Sequence, residues 1–194
     1  MNWTIPNILT LLRIILIPVL VVVFYLRGEW SYQISAAIFG IAALTDLLDG
    51  YLARRLNQSS LFGAFLDPVA DKLMVAVALV LLVQDNPSLW FAVPAAVIIG
   101  REIAISALRE WMAEIGARTK VAVSIIGKLK TTIQMVAILL LLYKVPLGDF
   151  ATHTAGLVLL YIAAALTLWS MVVYLHAAWP LLSGKSGKLP EDGA

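Results

Sequence analysis

The sequence predicts an all-α, polytopic membrane protein with six transmembrane helices, and three observations lead to that fold class. Of the 194 residues, 61% are hydrophobic and only 13% charged, too little polar surface to cover a soluble globule of this size. With a mean hydropathy of +0.92 the expected solvent is a bilayer. Apolar stretches of spanning length, about 20 residues each, alternate with short polar breakers. Lysine and arginine gather on one side of the path that these stretches trace.

The six spans are expected at 7–26, 33–54, 61–83, 88–112, 122–143 and 152–178. Between them lie Arg27-Gly28-Glu29, Asn57 to Ser60, Asp85 to Ser88, Gly116 to Lys120 and Pro146 to Asp149, all rich in turn formers or charge. Residues 1–182 form one domain in this reading, and 183–194 a polar tail expected to be disordered. The N-terminus has no lysine-rich lead and no small-residue cleavage site, so it is expected to stay in the fold.

Arg13, Arg54, Arg55, Lys72, Arg101, Arg109, Arg118, Lys120, Lys128, Lys130, Lys185 and Lys188 fall on one side, against Arg27 and Lys144 on the other. The positive-inside rule therefore places both termini in the cytoplasm. Several of these cations stand one to three turns inside the expected spans, which describes a polar cavity open to that side as well as snorkelling side chains. The net charge of +2, without a long basic run, argues against nucleic acid as a partner. Cysteine is absent, which excludes disulfides, thiol nucleophiles and thiolate metal sites. His153 and His176 match no ligand spacing and are read as structural.

The most informative stretch is DLLDGYLARRLNQSSLFGAFLDPVADK, Asp46 to Lys72, which holds four of the twelve acidic residues. Asp46 and Asp49 stand at i, i+3 and Asp67 and Asp71 at i, i+4, so each pair projects from one face of its helix. A short turn makes the two helices antiparallel neighbours, letting the pairs face each other. Four aspartates at mid-membrane depth would cost up to about 10–14 kcal/mol, less near the interface, and like charges add repulsion. Positive charge must answer them. Arg54, Arg55 and Lys72 are available, but an all-oxygen carboxylate set is also what hard cations such as Mg²⁺ or Mn²⁺ prefer, and two pairs have room for two ions. The alternative is a structural Asp/Arg network. Gly50, Ala53 and Gly63 remove bulk where a ligand or another backbone comes close, although each also serves simple helix packing. Pro68 is expected to start or kink its helix and free a carbonyl nearby.

Asp46-x-x-Asp49-Gly50-x-x-Ala53-Arg54, eight residues, then Gly63-x-x-x-Asp67-x-x-x-Asp71 resembles in full the signature of the CDP-alcohol phosphotransferase family. The opening Pro6 to Arg13 and the segment Gly100 to Thr132 are similar to the bacterial branch that uses glycerol 3-phosphate. The resemblance implies transfer of the phosphatidyl group of CDP-diacylglycerol to a small alcohol with loss of CMP. It implies a two-metal centre on Asp46, Asp49, Asp67 and Asp71, with Asp71 also the general base. The CDP part of the donor would lie against Gly50, Ala53, Arg54 and Gly63, with Asn7 and Thr10 as further candidates. A homodimer among membrane lipids is implied as well.

A phosphorylated acceptor needs cations of its own. Arg101, Arg109, Arg118 and Lys128, together with Lys130, stand at the cytoplasmic ends of the fourth and fifth spans. Arg101 and Arg109 are separated by about 80° around a helix, so both can face one cavity, or each can snorkel or pair with Glu102, Glu110 or Glu114. Glycerol 3-phosphate carries the dianion such a pocket suits. Synthases of phosphatidylinositol phosphate, phosphatidylserine or cardiolipin share the same metal chemistry. A cation- or proton-coupled transporter and a non-catalytic scaffold are the readings from other classes.

Overall fold

The computed structural model describes residues 5–26, 28–56, 61–114, 125–146, 148 and 151–182; inside the helices, the side chains of 5–6, 47, 49–56, 61–62, 64–65, 67, 125–128, 177–178 and 180–182 lie outside the description. Among the described residues there are six helices and no strand: α1 (Ile5–Tyr25), α2 (Ser31–Leu56), α3 (Leu61–Asp85), α4 (Leu89–Glu114), α5 (Ile125–Tyr143) and α6 (Thr152–Leu182). Each lies within a few residues of an expected apolar stretch.

The expectation of six transmembrane helices needs correction. Among the described residues three helices are long and apolar enough to cross a membrane, Asn7–Tyr25 of α1, Leu89–Glu114 of α4 and Thr152–His176 of α6. In α3 the physical reason is charge, since the helix carries Asp67, Asp71, Lys72 and Asp85; in α2 the run of described side chains is too short to count as a span. In α5 the apolar helix among the described side chains is the shorter run Leu129–Tyr143.

α3 sits centrally, touching α1, α2, α4 and α5, while α6 packs on α4 and α5. The core between them is aliphatic and aromatic, with Leu20, Phe39, Leu79, Leu82, Ile98, Ile138, Leu142 and Leu160 all fully buried. Ala36, Ala42, Ala78, Ala137 and Ala163 let the backbones approach. The closest approach is at Gly156, where a Cβ would stand 2.8 Å from Leu141 Cγ and 3.2 Å from the Ala137 carbonyl oxygen. The outer faces are apolar too: Ile15, Val22, Val80, Ile103 and Val172 are more than half exposed. Trp30 and Trp90 stand exposed at one end of the bundle and Trp179 at the other, as side chains at the two faces of a bilayer do. A soluble protein buries such surface, so the helices belong in a membrane.

Pro68 neither starts α3 nor lies near its end, because the helix begins at Leu61. Its missing N–H leaves the carbonyl of residue 64 without an intrahelical donor.

At the end of the bundle where α1 stops and α2 begins, four helix termini are tied together. Lys144 Nζ donates to Asp85 Oδ2 at 2.7 Å and lies 4.6 Å from the centre of the Tyr32 ring, while the Tyr25 hydroxyl bonds Gln84 Oε1. Lys144 closes α5 with φ 58°, a left-handed conformation that disfavours any residue with a Cβ. Its side chain supplies the compensation. Burial works against the Lys144 charge, but the hydrogen bond and charge of Asp85, with Tyr32, outweigh it and hold the ammonium above the ordinary lysine value. The folded chain therefore binds this proton more tightly than the unfolded chain does. The stabilisation is complete at neutral pH and is lost only above about pH 10.4, as the amine deprotonates. Lys144→Met is expected to lower stability by about 0.5–1 kcal/mol at pH 8 and to narrow its gap to the parent chain above about pH 10.4. Thermal unfolding in detergent across that range reads both effects, and a gap independent of alkaline pH would refute the assignment.

Candidate active site

About 21 Å along α2 from Tyr32, at 1.5 Å per residue, Asp46 begins the acidic stretch. Asp49 follows one turn later, and Asp67 and Asp71 stand one turn apart on α3. Of the four, the side chains of Asp46 and Asp71 are described. Arg13 of α1, with 1% of its side chain exposed, reaches Asp46 Oδ1 through Nη1 at 2.9 Å. Asp71 lies within electrostatic reach of Asp46, Arg13, Glu102 and Lys72, so carboxylates from α2 and α3 come near one another. Lys72 itself donates to the Ser106 hydroxyl of α4. The side chains of Asp49 and Asp67 lie outside the description, and among the described residues no three acidic or histidine side chains gather. What the two described carboxylates share is hard oxygen chemistry on facing helices, which fits Mg²⁺ or Mn²⁺.

On α1, Asn7, Thr10 and Arg13 recur every three residues along one face, all buried and all engaged in polar interactions. That face packs toward α2 and α3. Gly63 is buried at the start of α3. Helix geometry puts Gly50, Ala53 and Arg54 in the turns after Asp49, with their side chains outside the description.

The cations expected to meet an acceptor divide. Arg118 lies outside the described residues, and Lys128 is on α5 with its side chain outside the description. Arg101 and Arg109 are both placed. Arg101, nearly buried, donates Nη1 to Glu102 Oε1 at 3.1 Å and Nη2 to the Ser170 hydroxyl of α6 at 3.0 Å. Lys130 of α5 is buried to 3% exposure and donates to the same Glu102 oxygen at 2.7 Å. Arg109 donates Nη2 to the Tyr174 hydroxyl at 2.6 Å. Arg101 and Lys130 share the Glu102 carboxylate and Arg109 lies beside Tyr174, so these groups carry a surplus of two positive charges, the complement of a dianionic phosphate.

Sequence reasoning offered Glu102 as one of three partners for Arg101 and Arg109; the structure pairs it with Arg101 and adds Lys130. Its position beside Arg101 in an otherwise apolar stretch was a usable signal, because an ionisable group inside an apolar helix needs a partner. Ser170 and Tyr174 were not singled out. They join the cluster through the packing of α6 on α4. Glu102→Ala leaves the buried Lys130 without its counter-charge. A loss of about 3–5 kcal/mol is expected by chemical denaturation in detergent, and a loss under about 1 kcal/mol would refute the pairing.

The bundle of apolar helices brings carboxylates from two neighbouring helices near a cluster of cations, groups suited to a metal-assisted reaction of phosphate-bearing molecules. The CDP-alcohol phosphatidyltransferase family model matches residues 3–169, and the chain belongs to that family. A Salmonella choleraesuis (strain SC-B67) relative is 59% identical over 178 residues, 92% of this chain and 96% of its own length. It is a CDP-diacylglycerol--glycerol-3-phosphate 3-phosphatidyltransferase. Proteins of the same name from Pseudomonas fluorescens and Escherichia coli (strain K12) are 58% and 57% identical, each over 92% of this chain and over 91% and 96% of their own lengths.

Proposed function

We propose that the chain transfers the phosphatidyl group of CDP-diacylglycerol to glycerol 3-phosphate, giving phosphatidylglycerophosphate and CMP. The observation that carries this reading is the nearness of Asp46 on α2 to Asp71 on α3, with Arg101, Arg109 and Lys130 forming a cluster of surplus positive charge. Relatives of 57–59% identity that carry this activity in their name support it.

Asp46, Asp49, Asp67 and Asp71 would hold Mg²⁺ or Mn²⁺, two ions for two pairs. When bound, such ions neutralise charge on the reacting phosphoryl group and on the departing phosphate. Asn7, Thr10, Gly50, Ala53, Arg54 and Gly63 line the CDP end of the donor. Arg101 and Arg109, with Arg118 and Lys128, hold the acceptor's phosphate and so aim its free hydroxyl at the donor. Asp71 takes the hydroxyl proton as the oxygen attacks the phosphorus that bears diacylglycerol. The anhydride bond to the cytidylate phosphate breaks, and CMP leaves with that electron pair. Site and termini face the cytoplasm at the inner membrane, where the water-soluble acceptor is.

The test supplies purified protein with CDP-diacylglycerol, Mg²⁺ and each acceptor in turn, and measures CMP release. Release with glycerol 3-phosphate and not with serine or inositol phosphate is expected, and chelation should abolish it. Incorporation of serine or inositol phosphate instead would overturn the acceptor assignment. Asp71→Asn should reduce release by roughly 10²–10⁴-fold while the protein keeps its unfolding profile; activity near that of the parent chain excludes Asp71 as the base.

A further inference from the structure

Arg101 and Arg109 leave α4 eight residues apart, about 12 Å along its axis. Their guanidiniums nevertheless both lie against one ring, with Arg109 Cζ 4.9 Å and Arg101 Cζ 5.9 Å from the centre of Tyr174. Two cations gathered on one ring repel each other, so something must hold them. Glu102 restrains Arg101 and Lys130 from one side. Among the described residues no carboxylate is within ion-pair range of Arg109, whose hydrogen bond goes to the Tyr174 hydroxyl. Ser170, one turn earlier on α6, accepts from Arg101. A carboxylate in Tyr174's place would cancel the charge that an incoming anion needs. A neutral hydroxyl and an aromatic face hold both guanidiniums and leave their charge in place.

From this geometry we infer that Tyr174 is the positioning residue of the acceptor-phosphate pocket, holding Arg101 and Arg109 convergent so that both reach one phosphate. The inference rests on the reading that these two arginines bind the acceptor. Tyr174 acts through them. Its loss lets the guanidiniums spread apart, which weakens acceptor binding and leaves donor binding largely alone.

CMP release is measured against glycerol 3-phosphate concentration at saturating CDP-diacylglycerol and Mg²⁺, and then against donor concentration. Arg101→Gln and Arg109→Gln test the underlying reading, each raising the acceptor KM roughly tenfold or more, since a hydrogen-bonded charge is removed. Tyr174→Leu, which removes both ring and hydroxyl, is expected to raise the acceptor KM about tenfold, equivalent to about 1.4 kcal/mol. Tyr174→Phe keeps the ring and should raise it about threefold. In both variants the donor KM should stay within about twofold, the mark of a local change in binding. If the arginine variants leave the acceptor KM unmoved, the underlying reading fails. If they shift it while both Tyr174 variants match the parent chain, Tyr174 does not position them. A parallel loss in kcat and in both KM values would also overturn the inference, as it marks general damage. Should Tyr174→Leu fail to fold, the isosteric phenylalanine variant decides: a raised acceptor KM upholds the inference and an unchanged one refutes it.

Discussion

Charge carried into an apolar bundle has to be met by charge or by hydrogen-bonding oxygen, and the arrangement of this chain follows from how that demand is met. Arg13 is nearly sealed from solvent on α1 and meets Asp46 of α2 at 2.9 Å. Glu102 of α4 collects Arg101 and Lys130 on a single oxygen. The Arg13–Asp46 and Lys130–Glu102 contacts join side chains from different helices, so each fixes helix placement as well as charge. A buried pair of this kind adds little net stability over well-packed hydrocarbon, yet removing one member is costly. What such pairs supply is register. They tie α1 to α2, and α5 to α4, in one relative position.

The two ends of the bundle meet the same demand differently. Where α1, α2, α3 and α5 terminate around Lys144, charge and countercharge balance, and the Tyr32 ring covers the ammonium. At the other end the charges do not balance in the described part of α4, α5 and α6, where the cluster around Glu102 carries positive surplus. Asp46 and Asp71 lie within electrostatic reach of each other on α2 and α3, with Asp46 paired to Arg13. Carboxylates that can hold a cation, near a positive cluster, are what a reaction between a pyrophosphate and an anionic acceptor needs.

Much of this was legible in the sequence because the signals were local. Helix positions followed from hydropathy and breakers, and the aspartate pairs from spacing within single helices. The number of spanning helices was not, because the carboxylates and the lysine that mark the site also lower the apolarity of α3. Its hydrophobic length and its function compete for the same residues. The acceptor pocket was legible in part: Arg101 and Arg109 share a helix, and their angular separation could be counted. Lys130 and Tyr174 reach them from 28 and 65 positions away along the chain, counting from Glu102 and Arg109. No pattern on α5 or α6 alone announces that meeting. Asp46's partner Arg13, 33 positions earlier, is a similar case, since only the packing of α1 on α2 brings them together.

Gly156 carries a consequence for movement. At that crossing nothing wider than a hydrogen fits between α6 and the Leu141 side chain of α5. Contact so tight gives the pair no slack for sliding or rotating separately, and they must travel as one body. Lys130 rides on one member and Ser170 and Tyr174 on the other, so the distance between these walls of the pocket is set by a glycine several turns away.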